Sequence, residues 1–146
     1  IYGASLNARY FISSGFSAFG AVSWMKGEDD EGYAIRHVPP VFGKAGLDYN
    51  YGPIKAELNI IFNGEISNEN LAPSEADKPH LYAVDENGLP YSPSWQTFNL
   101  YMQYQLSEKV KIGFSLENIM DIRYRPYSSG ICAPGRNVII DARFSI

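Results

Sequence analysis

Apolar residues recur at every second position along most of this chain. In YGASLNARY, Tyr2, Ala4, Leu6, Ala8 and Tyr10 share one face, while Gly3, Ser5, Asn7 and Arg9 take the other. GKAGLDYNY sets Ala45, Leu47, Tyr49 and Tyr51 against Lys44, Gly46, Asp48 and Asn50. IKAELNIIFN sets Ile54, Ala56, Leu58, Ile60 and Phe62 against Lys55, Glu57, Asn59, Ile61 and Asn63. TFNLYMQYQL and VKIGFSLE repeat the pattern with Phe98 to Leu106 and Val110 to Leu116, and NVIIDARFSI closes with Val138, Ile140, Ala142, Phe144 and Ile146. Successive side chains of a strand point to opposite faces, so a period of two predicts strands with one apolar and one polar side. FSAFGAVSWMKG alternates less cleanly, and its faces stay unassigned. Helical periodicity is nearly absent. The expectation is seven antiparallel strands.

The connections alternate as strictly as the faces. ISSG, YGP and SEK are tight turns, whereas roughly Glu28–Pro40, Gly64–Trp95 and Asn118–Gly135 are long. A soluble sandwich has no reason to put all its long loops at one end. A transmembrane barrel does, with short periplasmic turns and long extracellular loops. Charge agrees with this. Arg9, Lys44, Asp48, Lys55, Glu57, Lys111 and Glu117 all sit on the polar faces. Tyr2 and Tyr10 bracket the first apolar face, and Tyr49, Tyr51 and Tyr104 lie near short turns, which suits an aromatic girdle at a membrane interface. An open sheet in lipid leaves its edge backbone groups unpaired at several kcal/mol each. Seven strands are therefore expected to be part of a larger barrel rather than a whole one.

Composition narrows the classes. The 146 residues carry a net charge of −4 and no basic stripe, so no nucleic-acid partner is expected. No run approaches the ~20 apolar residues of a membrane helix. Ile1 is not preceded by an initiator Met, which suggests a piece of something longer. The single Cys132 has no internal disulfide partner, and no Cys/His cluster has zinc spacing. No Gly-x-Ser-x-Gly elbow or Gly-rich phosphate loop is present, so an enzyme is not expected.

The segment ENIMDIRYRPYSSGICAPGRNVIIDARFSI resembles the C-terminus of TonB-dependent outer-membrane receptors, through Asn118, Asp121, Tyr124, Arg125, Pro134, Gly135, Arg136 and Phe144. PPVFGKAGLDY is similar to that family's Pro-Pro-x-x-Gly-(Arg/Lys) strand opening, with Pro39, Pro40, Gly43 and Lys44 matching. Ile119-Met120 stands where Leu-Phe is usual, and Ile146 where a terminal Phe is usual. The resemblance implies the last seven strands of a 22-stranded barrel in a Gram-negative outer membrane. It also implies a plug that fills the barrel and couples to the TonB complex, both outside this chain, and an expected cargo that is a scarce chelate: ferric siderophore first, then haem or cobalamin.

Loops carry ligand contacts more often than strands. Glu28, Asp29, Asp30 and Glu31 form an acidic run that either holds a cation or is simply solvated; the spacing lacks the Asp-x-Asp-x-Asp-Gly rhythm of a dedicated calcium site. Arg36 lies just beyond it. His37 and His80, the two histidines, are candidate metal or haem ligands. Arg123, Arg125 and Arg136 suit an anionic chelate, or a structural network with Glu117, Asp121 and Asp141. Tyr82 and Tyr127, with Tyr33 and Tyr91, either stack on a ligand or pack the loops together. No resident cofactor is expected, and no metal site is defined. The reading is an active outer-membrane transport receptor. Its rivals are a passive porin-like channel and a soluble β-sheet binding module, whose apolar faces would have to meet each other.

Overall fold

The computed structural model describes residues 1–145; Ile146, expected on the apolar face of the last strand, lies outside the described residues, as does the side chain of Pro79. The long strands are β1 (Tyr2–Ser13), β2 (Phe16–Lys26), β3 (Phe42–Tyr51) and β4 (Ile54–Asn63). After a long loop that holds a short helix α1 (Pro73–Ala76) and the two-residue strands β5 (Ala83–Val84) and β6 (Pro90–Tyr91) come β7 (Trp95–Ser107), β8 (Val110–Glu117) and β9 (Asn137–Phe144). The seven long strands form one sheet in the order β1-β2-β3-β4-β7-β8-β9, and every pair is antiparallel. The predicted seven strands are all present. The small β5–β6 pair and α1 lie within a segment expected to be loop. Gly15 and Gly52, at two of the short turns, have φ of 86° and 57°, which a side chain with a Cβ adopts only with strain.

Register carries the alternation across the whole sheet. Tyr10 pairs with Ala18, Ala18 with Leu47, Leu47 with Leu58, Leu58 with Leu100, Leu100 with Leu116 and Leu116 with Val138. Directly paired residues share a face, so one apolar row crosses all seven strands. The register also settles β2: Ala18, Gly20 and Val22 join the apolar face, because they pair with Leu47, Ala45 and Gly43. Phe19 belongs to the polar face, where it pairs with Arg9 and Gly46.

Among the described residues nothing covers the apolar side. Leu58 is 48% exposed and Ile140 75%. Among the described residues the buried apolar side chains lie in the long loops: Ile66, Leu71 and Ala72 between β4 and β5, and Pro40 between β2 and β3. A water-soluble sheet buries its apolar face against a second layer. Exposed apolar area on this scale marks a surface with a lipid or protein neighbour. Aromatic residues rim it. Near the short turns Phe16 and Tyr49 stand 4.5 Å apart and Tyr49 and Tyr51 6.5 Å apart. At the long-loop end Tyr2 meets Trp24 edge-on at 5.7 Å.

Candidate functional site

The polar face is a connected array rather than a scatter of charges. One of its rows runs Ser17–Asp48–Glu57–Tyr101–Ser115, strand to strand. Arg9 pairs with Asp48 and donates to Ser17 Oγ at 3.0 Å. Lys44 pairs with Glu57, which also accepts from Asn59 Nδ2 at 2.6 Å. Asn99 Nδ2 donates to Asn59 Oδ1 at 3.0 Å, and Asn99 Oδ1 accepts the backbone N–H of Asn118 at 2.9 Å. The Arg9 and Lys44 cations both stand 5.3 Å from the Phe19 ring centroid. Cations are attracted to an aromatic face, and this explains why a large apolar side chain is kept on the polar side. The bonded chain runs from Lys44 and Glu57 through the Asn59–Asn99 pair to Asn118 at the base of the last loop.

The long loops meet through Glu75, which is fully buried at the end of the first turn of α1. Its carboxylate pairs with Arg36 of the first long loop and with Lys78 at 3.0 Å, and it accepts a hydrogen bond from the Tyr82 hydroxyl. Burial by itself raises the carboxyl pKa; the Tyr82 and Lys78 hydrogen bonds and the Arg36 charge outweigh it and hold the group at about 2. Burial and the bond to Glu75 push the Tyr82 hydroxyl up in turn. Burial and the Glu75 charge push up that of Tyr127, whose ring lies 6.3 Å from that of Tyr82. Arg125 of the last loop donates to the carbonyls of His80 at 3.1 Å and Leu81 at 2.9 Å. The loops between β2 and β3, β4 and β7, and β8 and β9 thus form one assembly.

The base of the last loop is built from the motif residues. Asn118 is buried and has φ of 48°, a left-handed conformation that Asn tolerates better than most. Its side chain donates to the carbonyls of Ile122 at 2.8 Å and Pro134 at 3.2 Å and accepts the Ile122 N–H at 2.9 Å. Asp121 accepts the backbone N–H of Arg136 at 2.8 Å, and Arg136 Nε donates to the Ile119 carbonyl at 3.0 Å. A Cβ on Gly135 would come 2.6 Å from Asp121 Oδ1, so this position is fitted to Gly. Tyr124 lies against Trp95 with centroids 4.1 Å apart. Phe144 pairs with Val110 beside the last short turn, on the apolar side.

The candidate residues separate into groups. Arg36, Tyr82 and Tyr127 are drawn together around Glu75, a residue that the sequence did not single out. Glu28 pairs with Lys26 at 2.7 Å. Asp29 accepts the N–H groups of Glu31 at 3.0 Å and Tyr33 at 2.9 Å, so it shapes its own turn. Asp30 and His37 are exposed, the latter with φ of 64°, and His80 is exposed too. Among the described residues no three His, Cys, Asp or Glu side chains cluster as a cation site. One expectation is corrected. The arginines of the last loop do not bridge Glu117, Asp121 and Asp141 through their guanidinium groups. Arg125 and Arg136 use those groups on backbone carbonyls, Glu117 accepts from Tyr101 at 3.0 Å, and Asp141 pairs with Arg143 at 3.4 Å. Carbonyls left free where the loops turn are nearer acceptors than a carboxylate on a neighbouring strand.

The family described as TonB dependent receptor-like, beta-barrel matches residues 1–119, and the chain belongs to it. Among curated proteins none matches the chain at the sequence level. Several solved structures share its fold. The copper transporter OprC is 18% identical with a TM-score of 0.80, and the match covers 99% of this chain and 22% of that one. The ferric citrate transporter FecA, in its unliganded form, is 18% identical with a TM-score of 0.73, covering 97% of this chain and 23% of that one. The FrpB iron transporter from Neisseria meningitidis is 15% identical with a TM-score of 0.70, covering 97% and 22%. The chain thus spans under a quarter of the length of these structures. The family and these neighbours are receptors and transporters rather than enzymes, and the family is one of outer-membrane β-barrels of Gram-negative bacteria.

Proposed function

We propose that the chain is the C-terminal portion of the barrel of an outer-membrane active transporter that takes up a scarce metal chelate with TonB energy. The apolar row from Tyr10 to Val138 faces lipid, and the Arg9–Asp48 and Lys44–Glu57 pairs face the lumen. The short turns lie in the periplasm and the long loops outside the cell. β1 and β9 are the sheet's edges, and further strands of an expected 22-stranded barrel pair with them, because edges left open in lipid would cost too much. A plug outside this chain fills the lumen and contacts the TonB complex. The neighbours bear names for copper, ferric citrate and iron transport. By that analogy a metal chelate is the cargo, with a ferric siderophore ahead of haem or cobalamin.

The single observation that carries this reading is the coexistence of the two faces on one sheet: an uncovered apolar row of seven and an ion-paired array behind it. A deletion of the full-length gene is grown on single metal-chelate sources, with a TonB deletion beside it. Loss of growth on one source in both strains supports active uptake. Growth that needs the gene but not TonB supports the passive channel.

A further inference from the structure

Asparagine precedes glycine twice in this chain, at Asn63-Gly64 and at Asn87-Gly88. The pairing matters chemically. A main-chain nitrogen can attack the carboxamide of the asparagine before it, and glycine leaves that nitrogen unscreened because it has no Cβ. Every other asparagine precedes a residue with a side chain. The fold places the two Asn-Gly pairs in opposite surroundings.

Asn63 ends β4 inside the seven-stranded sheet. It is paired on both sides, with Phe42 of β3 and Trp95 of β7. The Gly64 N–H donates to the Val41 carbonyl at 2.6 Å, and Asn63 Nδ2 donates to the Gly64 carbonyl at 3.3 Å. A Cβ on Gly64 would lie 2.7 Å from Val41 Cγ1, so the nitrogen is crowded as well. Bringing the Asn63 carboxamide onto that nitrogen requires part of the sheet to open.

Asn87 lies at the tip of the β5–β6 hairpin, whose strands have two residues each. An isolated two-stranded hairpin is marginal in water. Asn87 and Gly88 are both exposed, and among the described residues a Cβ on Gly88 would meet nothing within 4 Å. Gly88 has φ of 80° and donates to the Asp85 carbonyl at 3.1 Å. The Asp85 carboxylate accepts the N–H groups of Asn87 and Leu89, each at 2.8 Å. These bonds are all local, so freeing the Gly88 nitrogen opens one turn and leaves the sheet intact.

We propose that Asn87 is a site of spontaneous deamidation, and that the fold protects Asn63 from the same reaction. Hydroxide takes the Gly88 amide proton, and the nitrogen attacks Asn87 Cγ. The N–Cγ bond forms, the Cγ–Nδ2 bond breaks, and Nδ2 takes a proton from water and leaves as ammonia. Water then adds to either carbonyl of the cyclic imide and opens it to aspartate or isoaspartate. Isoaspartate puts an extra methylene into the main chain, so the two N–H groups held by Asp85 no longer both reach it. Either product adds a negative charge beside Asp85 and Glu86. The damage stays in the hairpin because both flanks are tied: the Tyr82 hydroxyl donates to Glu75, and Ile66 and Ser92 exchange backbone bonds at 3.0 and 2.9 Å. The reaction depends on neither the membrane nor the cargo.

The full-length protein in detergent is held at mildly alkaline pH, and its peptides are followed by mass spectrometry with an isoaspartyl methyltransferase assay beside it. The Asn87 peptide is expected to convert at least about tenfold faster than the Asn63 peptide, because only a turn has to open. In denaturant the two rates are expected to converge. Asn87→Gln is expected to abolish the methyltransferase signal in that peptide, since glutamine would have to close a larger ring. After conversion, hydrogen-exchange protection is expected to fall at amides 84–89 and to hold at 72–82. Equal native rates, faster conversion at Asn63, or an Asn87 that stays unreacted while the denatured chain converts would each overturn the proposal. A methyltransferase signal that survives Asn87→Gln, or lost protection at 72–82, would do the same.

Discussion

Arg36, in the first long loop, pairs with Glu75 in the second, and the Glu75 carboxylate has no exposed surface at all. The pair spans the gap between two loops that enter and leave different strands. A buried carboxylate holds its place only while its partners do. Glu75→Gln is expected to loosen the tie by roughly 1–3 kcal/mol, less than for a wholly buried pair because Arg36 is half exposed. pH acts in the same way. The carboxyl titrates at about 2 in the closed loops and near 4.5 when they open, so its stabilisation is complete above 4.5 and fades as pH falls towards 2. Hydrogen-exchange protection of amides 72–82, corrected for intrinsic rate, is expected to fall across that window in the native protein and not in Glu75→Gln. Equal pH dependence in both would remove Glu75 from its role.

The two faces of the sheet make opposite predictions for one substitution. Leu58 and Leu100 face each other on the apolar side, and Gln103 pairs with Lys55 on the polar side. Leu58→Arg or Leu100→Arg is expected to cost ~2–4 kcal/mol near the bilayer midplane and to block assembly. Gln103→Arg should leave assembly intact. Heat-modifiable migration of the full-length barrel on gels reads the difference, and equal tolerance on both sides would contradict the assignment of the faces.

A third prediction concerns the motif at the base of the last loop. Asn118→Ala strands the carbonyls of Ile122 and Pro134, at about 1–3 kcal/mol, and places Ala in a left-handed conformation, at about 1–2 kcal/mol more. Gly135→Ala pushes Asp121 away from the Arg136 N–H. Both are expected to speed proteolysis within residues 118–136 while leaving the barrel folded. Unchanged cleavage rates would mean that the motif does not anchor the loop.

Most of the sheet was legible because its physics is local. A strand with one apolar and one polar face has to alternate, and Leu47, Leu58 and Leu100 hold the apolar face of their strands. β2 was not legible, because Ala18, Gly20 and Ala21 are small on both sides and Phe19 is apolar on the polar face. Only the register and the two cations over its ring account for it. Glu75 escaped notice for a different reason. It lies in an ordinary polar stretch, and nothing local marks a carboxylate whose partners are Arg36 and Tyr82; the one signal was Pro73 at a helix start. The acidic run at Glu28 drew attention through density of charge alone, and the structure uses Asp29 to turn the chain. For the arginines of the last loop the sequence leaves a chelate and a carboxylate network open; Arg125 and Arg136 donate to loop carbonyls instead of those carboxylates, and such acceptors cannot be foreseen from spacing.

The central claim is that one face of this sheet meets lipid and the other meets water. It is tested most directly by placing a spin label at Leu100 and, separately, at Gln103 of the full-length protein in bilayers, with Cys132 replaced by Ser. The label at Leu100 is expected to be relaxed by oxygen, which partitions into lipid. The label at Gln103 is expected to be relaxed by a water-soluble nickel chelate. The reverse pattern, or the same pattern at both positions, would contradict the account.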